Sequence, residues 1–189
     1  MDDIDRKIIS QLQVDGRTTF EELGKAVGYT SMGAKKRVKK LLDDGVIKVS
    51  ALLSIESLDL CAAIVLLEMD NAEAMKKLIE RFSSCPRVVY IFTAIGGYNL
   101  ISLVVAEDQG TLESISMEKC SLRSSEGIRR SEFYPIGKIH YLPFVPVREH
   151  LTHKEMPSAP CGVDCGPCAR YLSKKCVGCP TTHDYGGPL

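Results

Sequence analysis

Long apolar runs are absent from this chain. The longest, Leu60–Leu67, has eight residues, whereas a membrane helix needs about 20, so no membrane-spanning segment is expected. A basic leader is absent too. Met1-Asp2-Asp3-Ile4-Asp5 is acidic where a secretory signal is basic, which points to a cytoplasmic protein in a reducing compartment. Net charge of one sign is lacking, with 24 Lys and Arg against 24 Asp and Glu. No internal repeat, low-complexity tract, or carboxylate or His pair with acid–base spacing occurs, which argues against an enzyme. What remains is substantial. Hydrophobic residues make up 44% of the chain, enough for a packed core and too many for a wholly disordered protein. A length of 189 residues allows one large domain or two small ones, at roughly 100–200 residues per domain.

Charge is distributed unevenly. Residues 1–50 carry ten basic and eight acidic side chains, net +2, and the remainder is net −2. Helical spacing of Ile4, Ile8, Ile9 and Leu12 predicts a first helix over Asp3–Gln13, ended by Asp15-Gly16. Thr18 or Thr19 can cap a second helix with Phe20, Leu23 and Val27 inside, stopped by Gly28. Tyr29-Thr30 makes a turn, and Ser31 is the expected cap of a third helix to about Asp44, followed by an extended wing over Val46–Ser54. On that third helix Ala34, Val38, Leu41 and Leu42 share one arc, while Lys35, Lys36, Arg37, Lys39 and Lys40 take the rest. Such a charge run can be a plain solvated face. After two short helices and a Gly-Tyr-Thr turn it fits a helix-turn-helix, whose third helix enters the major groove. Thr30, Ser31, Met32 and Gly33 would then reach base edges, and the five basic residues would hold phosphates.

The period changes after residue 58. Cys61–Met69, Val88–Ala94, Leu100–Ala106 and Ser131–Tyr141 read as strands, the last broken by Pro135 and Gly137 into a bend or edge. Ala72–Phe82 and Thr111–Cys120 read as helices between them. The order βαββαβ predicts a ferredoxin-like antiparallel sheet with two helices on one face. The expected class is therefore α+β. A winged helix-turn-helix spans residues 1–54, a ferredoxin-like effector and oligomerisation domain 55–142, a Pro-containing linker 143–160, and a Cys-rich metal-stapled tail 161–189.

Much of this resembles the Lrp/AsnC (feast/famine) family of transcription regulators. Asp3-Ile4-Asp5-Arg6-Lys7-Ile8-Ile9 looks like that family's first helix, and Leu12-Gln13-Val14-Asp15-Gly16-Arg17 like the bend after it. Leu23-Gly24-Lys25-Ala26-Val27-Gly28 and Arg37-Val38-Lys39-Lys40-Leu41 look like its second and third helices, and Gly45-Val46-Ile47-Lys48 like its entry to the wing. The resemblance covers residues 1–142. It implies binding to double-stranded DNA and self-association through the sheet domain as a dimer or higher oligomer, whose two-fold symmetry would fit a palindromic operator. It also implies a pocket for a small-molecule effector, often an amino acid, helped by the turn Gly96-Gly97-Tyr98-Asn99. Asn99 stands where an Asp is common. From the residues alone, Gly96-Gly97 is equally an ordinary hairpin turn. Some relatives of this fold are sirohaem-pathway decarboxylases without the basic recognition face, which is retained here. An electron-transfer or metal-carrier role for the tail is a third reading.

The tail reads Cys161-x3-Cys165-x2-Cys168-x7-Cys176-x2-Cys179 and holds five of the eight cysteines. It lies outside the usual family pattern and resembles a small uncharacterised Cys-rich module. In a reducing compartment such a cluster points to metal rather than disulfides. Two Cys-x-x-Cys knuckles suit Zn2+. The Cys161, Cys165, Cys168 triplet, with Cys176 or Cys179, suits a [4Fe–4S] cluster equally, and free redox thiols are a third account. His183 reads as a simple tail histidine. Cys61, Cys85 and Cys120 read as lone buried apolar residues. His140, His150 and His153 share no ligand spacing.

Overall fold

A computed structural model describes residues 1–147 and 155–188; His150 and His153 lie outside them. The chain divides into two compact units, Met1–Ala51 and Leu52–Leu189.

Three helices build the first unit: α1 (Asp3–Val14), α2 (Phe20–Val27) and α3 (Ser31–Asp43). Each starts where a side chain satisfies amides that have no partner within the helix. Asp2 accepts from the Asp5 amide and Thr19 from the Glu22 amide, both completed as capping boxes. At α3 the cap is Thr30, not Ser31: its hydroxyl accepts from the Gly33 amide at 3.1 Å, leaving Ser31 as the first helical residue. Ile8, Leu23, Val27, Ala34, Val38 and Leu41 form the core. Leu42, expected on the apolar arc, is exposed, because the buried stripe is narrower than the arc drawn from the sequence. Gly24 sits where α2 meets the turn. A Cβ there would lie 2.6 Å from the Tyr29 carbonyl oxygen, so the close approach of turn and helix requires glycine.

The expected wing is not a continuous strand. Residues 46–52 have no strand partner, and the amides of Val46 and Ile47 fold back onto the Leu41 carbonyl. Only β1 (Leu53–Ser54) is extended and paired, against β6 (Phe144–Val145), and both strands belong to the second unit. A strand needs a partner for its backbone groups, and only that short piece finds one.

The second unit carries the sheet. Its elements are β2 (Cys61–Met69), α4 (Ala72–Arg81), β3 (Val88–Thr93), β4 (Leu100–Ala106), α5 (Gln109–Met117) and β5 (Ile128–Pro135). All pairings are antiparallel, in the order β3-β4-β2-β5, with Leu67 opposite Leu100 and Ile64 opposite both Leu103 and Tyr134. This is the βαββαβ arrangement expected from the order of periods. Ala63, Val65, Leu67 and Met69 face Leu78, Phe82 and Leu112 of the helix layer. Ala62 and Val105 pack on the opposite face with Ile55, Leu60 and Val145. Burial on both faces is why β2 reads as one apolar run.

Two boundaries shift. Helix α5 starts at Gln109 because Asp108 caps it, accepting from the Thr111 amide at 2.6 Å, and it ends before Cys120. Strand β5 stops at Pro135; only Ile136 adds a further bond, to the Ala62 carbonyl, so the strand does not reach Tyr141.

The cysteine tail belongs to this second unit. It contains one helical turn, α6 (Ala169–Leu172). Arg170 donates to Ser114 Oγ at 2.6 Å and to the Gly110 carbonyl at 2.9 Å, both on α5. The Val177 amide donates to Thr111 Oγ1, and Arg81 at the end of α4 donates to the Cys161 carbonyl. A segment too short to build its own core thus shares that of the sheet domain.

Candidate functional site

Helix α3 presents two faces. Ala34, Val38 and Leu41 are buried, whereas Lys35, Lys36, Lys39 and Lys40 are exposed and form no ion pair among the described residues. Ser31 and Met32 project at its N-terminal end, Met32 at 72% exposure. Three of the other expected contacts have local work to do. Thr30 is occupied as the cap. Gly33 is half-buried, and a Cβ there would lie 3.1 Å from the Tyr29 ring, so its small size makes room for tyrosine. Arg37 turns inward. It donates at 2.8 Å to Asp2 and at 2.8 Å to Asp5, donates to the Tyr29 hydroxyl, and lies 5.1 Å from the centre of that ring. The Asp5 amide, followed by Arg37, holds the Asp2 carboxyl below its ordinary range. Arg37 therefore clamps α3 to the start of α1 and sets the angle at which the lysines are shown. Tyr29 and the Asp2/Asp5 pair were not singled out from the sequence. Two carboxylates three residues apart, opposite an arginine on the third helix, were the available signal.

The Gly96–Asn99 turn joins β3 to β4 and is tightly anchored. Asn99 Oδ1 accepts from the Met69 amide at 2.8 Å, and Asn99 Nδ2 donates to the Met69 carbonyl at 2.9 Å. Tyr98 donates to Glu132, Tyr134 does the same from the other side, and the Arg130 guanidinium lies 4.4 Å from the Tyr98 ring centre. Those two hydroxyls, Tyr134 first, lower the Glu132 pKa, and the carboxylate in turn raises both phenols.

The largest departure from expectation concerns the cysteines. All eight are free. Cys85 and Cys120 are not lone core residues: both border a cavity of about 360 Å³ that is also lined by all five tail cysteines. Cys85 follows α4 and Cys120 follows α5, so the ends of the two helices bring them to the docked tail. Burial pushes the Cys85 thiol up to about 11 and the Cys120 thiol up to about 12, with Cys161 adding to both. Burial also raises Cys165, to about 11. Beside the cavity, buried Arg87 pairs with buried Glu107 at 2.8 Å and donates to the Gly178 carbonyl, inside the second Cys-x-x-Cys knuckle. Burial disfavours the Arg87 charge, but Glu107, Cys176 and Cys179 outweigh it and keep its pKa above the ordinary value. Among the described residues, no three His, Cys, Asp or Glu side chains converge closely enough to hold a single metal ion. His140 is exposed, and His183 lies 3.4 Å from Asp184.

Comparison with known proteins bears on the same regions. The model for the AsnC-type helix-turn-helix domain matches residues 1–42. An uncharacterised HTH-type transcriptional regulator of Bacillus subtilis, YezC, is 40% identical over 115 residues, 60% of this chain and 81% of that protein. An HTH-type transcriptional regulator of Mycobacterium tuberculosis is 31% identical over 134 residues, 70% of this chain and 88% of that protein. The structure of a Neisseria meningitidis transcriptional regulator in complex with L-Met superposes with a TM-score of 0.67 at 24% identity, covering 74% of this chain and 92% of that one.

Proposed function

This chain belongs to the Lrp/AsnC family of helix-turn-helix transcription regulators and is a DNA-binding regulator rather than an enzyme; from that premise we propose how it engages and reads an operator. Helix α3 lies in the major groove with Ser31 and Met32 toward base edges. Lys35, Lys36, Lys39 and Lys40 neutralise phosphates, and Arg37 acts indirectly by holding the helix in place. The observation that carries this reading is the division of α3 into a buried apolar stripe and exposed, unpaired lysines.

Two copies joined through the sheet domain would present two such helices. The exposed Tyr90 and Phe92, stacked at 5.6 Å, and the fully exposed Ile95 offer apolar surface for that contact. A small effector, with amino acids favoured by the L-Met complex of the Neisseria protein, would act at the Gly96–Asn99 turn. A metal or iron–sulfur centre at the tail is the second candidate for control.

The test is fluorescence anisotropy with a mixed-sequence duplex across a salt series. Lys36→Ala and Lys40→Ala should each weaken binding and lower the salt slope by about one counterion. Unchanged affinity and slope in both variants would remove α3 from the interface.

A further inference from the structure

Seven cysteines from two parts of the chain border one cavity, and Cys61 is not among them. The size of that space matters. A site for one water-sized body needs only about 15 Å³, and this cavity has about 360 Å³. A zinc ion bound by sulfur at about 2.3 Å draws its four thiolates to within about 3.8 Å of one another. Here seven cysteines border the cavity, and no three of them form such a single-ion group among the described residues. A multi-iron cluster places each thiolate on its own iron, so its ligands stand farther apart around a larger body. The buried Arg87, ion-paired with Glu107, donates to the knuckle carbonyl of Gly178 and so fixes the second knuckle at the cavity edge.

We propose that this cavity is a site for a polynuclear iron–sulfur cluster, with Cys161, Cys165 and Cys168 of the tail supplying three ligands and a sheet-domain thiol, Cys85 or Cys120, the fourth. The proposal rests on reading the tail as metal-binding and is independent of DNA binding. Cys85 and Cys120 line the same cavity as Cys161, Cys165 and Cys168, which makes either a feasible fourth corner. Each ligating thiol passes its proton to water as it binds iron, and ferric and ferrous ions in equal parts, with inorganic sulfide, come from solution, so the core assembles with no net electron transfer. The cluster would then pin the tail to the ends of α4 and α5.

The full chain, purified without oxygen and reconstituted with equal parts of ferric and ferrous iron and with sulfide, should be brown and contain about four iron and about four sulfide per chain. Cys61→Ala should keep that iron. Of Cys85→Ala and Cys120→Ala, one should lose most of it, and the double variant should as well. Cys85→Ser and Cys120→Ser repeat the test with side-chain volume kept, and circular dichroism with thermal melting reports whether each variant is folded. One zinc per chain without iron would overturn the polynuclear site. Full iron in a folded double variant would overturn the shared ligand set, and no metal at all would overturn both. A protein that loads iron but fails to bind DNA would sink the regulator reading and leave this one standing.

Discussion

Arg37 shows how one residue's role changes between sequence and structure. By position it belongs to a run of basic side chains on α3, and a helical wheel places it outward. Its guanidinium nevertheless finds Asp2 and Asp5 at 2.8 Å each and packs over Tyr29. Nη1 donates to both carboxylates while Nη2 reaches the Tyr29 hydroxyl and the planar group lies over that ring, a spread of contacts that a compact ammonium does not reproduce. Arg37→Ala should therefore lower the thermal midpoint of the first unit, and Arg37→Lys should only partly restore it. The sign with pH follows from Asp2. Its folded pKa lies below the ordinary 3.8, so its contribution is present above that value and disappears as pH falls through the lowered pKa. In an acid titration followed by circular dichroism, wild type should lose stability below about pH 4 more steeply than Arg37→Ala. Parallel curves would contradict the clamp. Asn99 makes the same point. Its amide both accepts from and donates to the Met69 backbone, which a carboxylate cannot do. Asn99→Asp should destabilise the sheet domain by about 1–3 kcal/mol, read from the denaturant midpoint. An unchanged midpoint would mean that the amide is not structural.

At the scale of elements, regular period was legible and termini were not. The two sheet helices follow from apolar residues at every third and fourth position, and the strands β2 and β4 from nearly continuous apolar runs bounded by turn residues. Boundaries depended on single caps. Asp108 moved α5 forward and Thr30 displaced Ser31 as the cap of α3. The wing failed as a strand because extended propensity without a partner leaves backbone groups unpaired, a fact external to residues 46–52. The turn between α2 and α3 depends on Gly24, whose Cβ position is taken by the Tyr29 carbonyl. Gly24→Ala should cost about 1–3 kcal/mol and weaken DNA binding together with stability. A variant that melts like wild type would show that the turn can relax around the added methyl.

Across the whole molecule, the DNA-binding half was readable from the sequence and the cysteine cavity was not. The helix-turn-helix is local: its caps, turn and basic face fall within one short stretch. The cavity gathers Cys85, Cys120 and the tail from positions far apart in the chain, and the docking by Arg81, Arg87, Arg170 and the Val177 amide brings them together. No spacing rule links such residues, so Cys85 and Cys120 passed for ordinary core.

Sequence-specific recognition is tested by selection from a random duplex pool with the whole 189-residue chain. One motif with two-fold symmetry should be enriched, its half-sites spaced by about one helical turn or a multiple of it. Replacing Ser31 and Met32 should relax the motif while leaving salt-dependent affinity largely intact. A pool that stays random, with binding governed by salt alone, would contradict it.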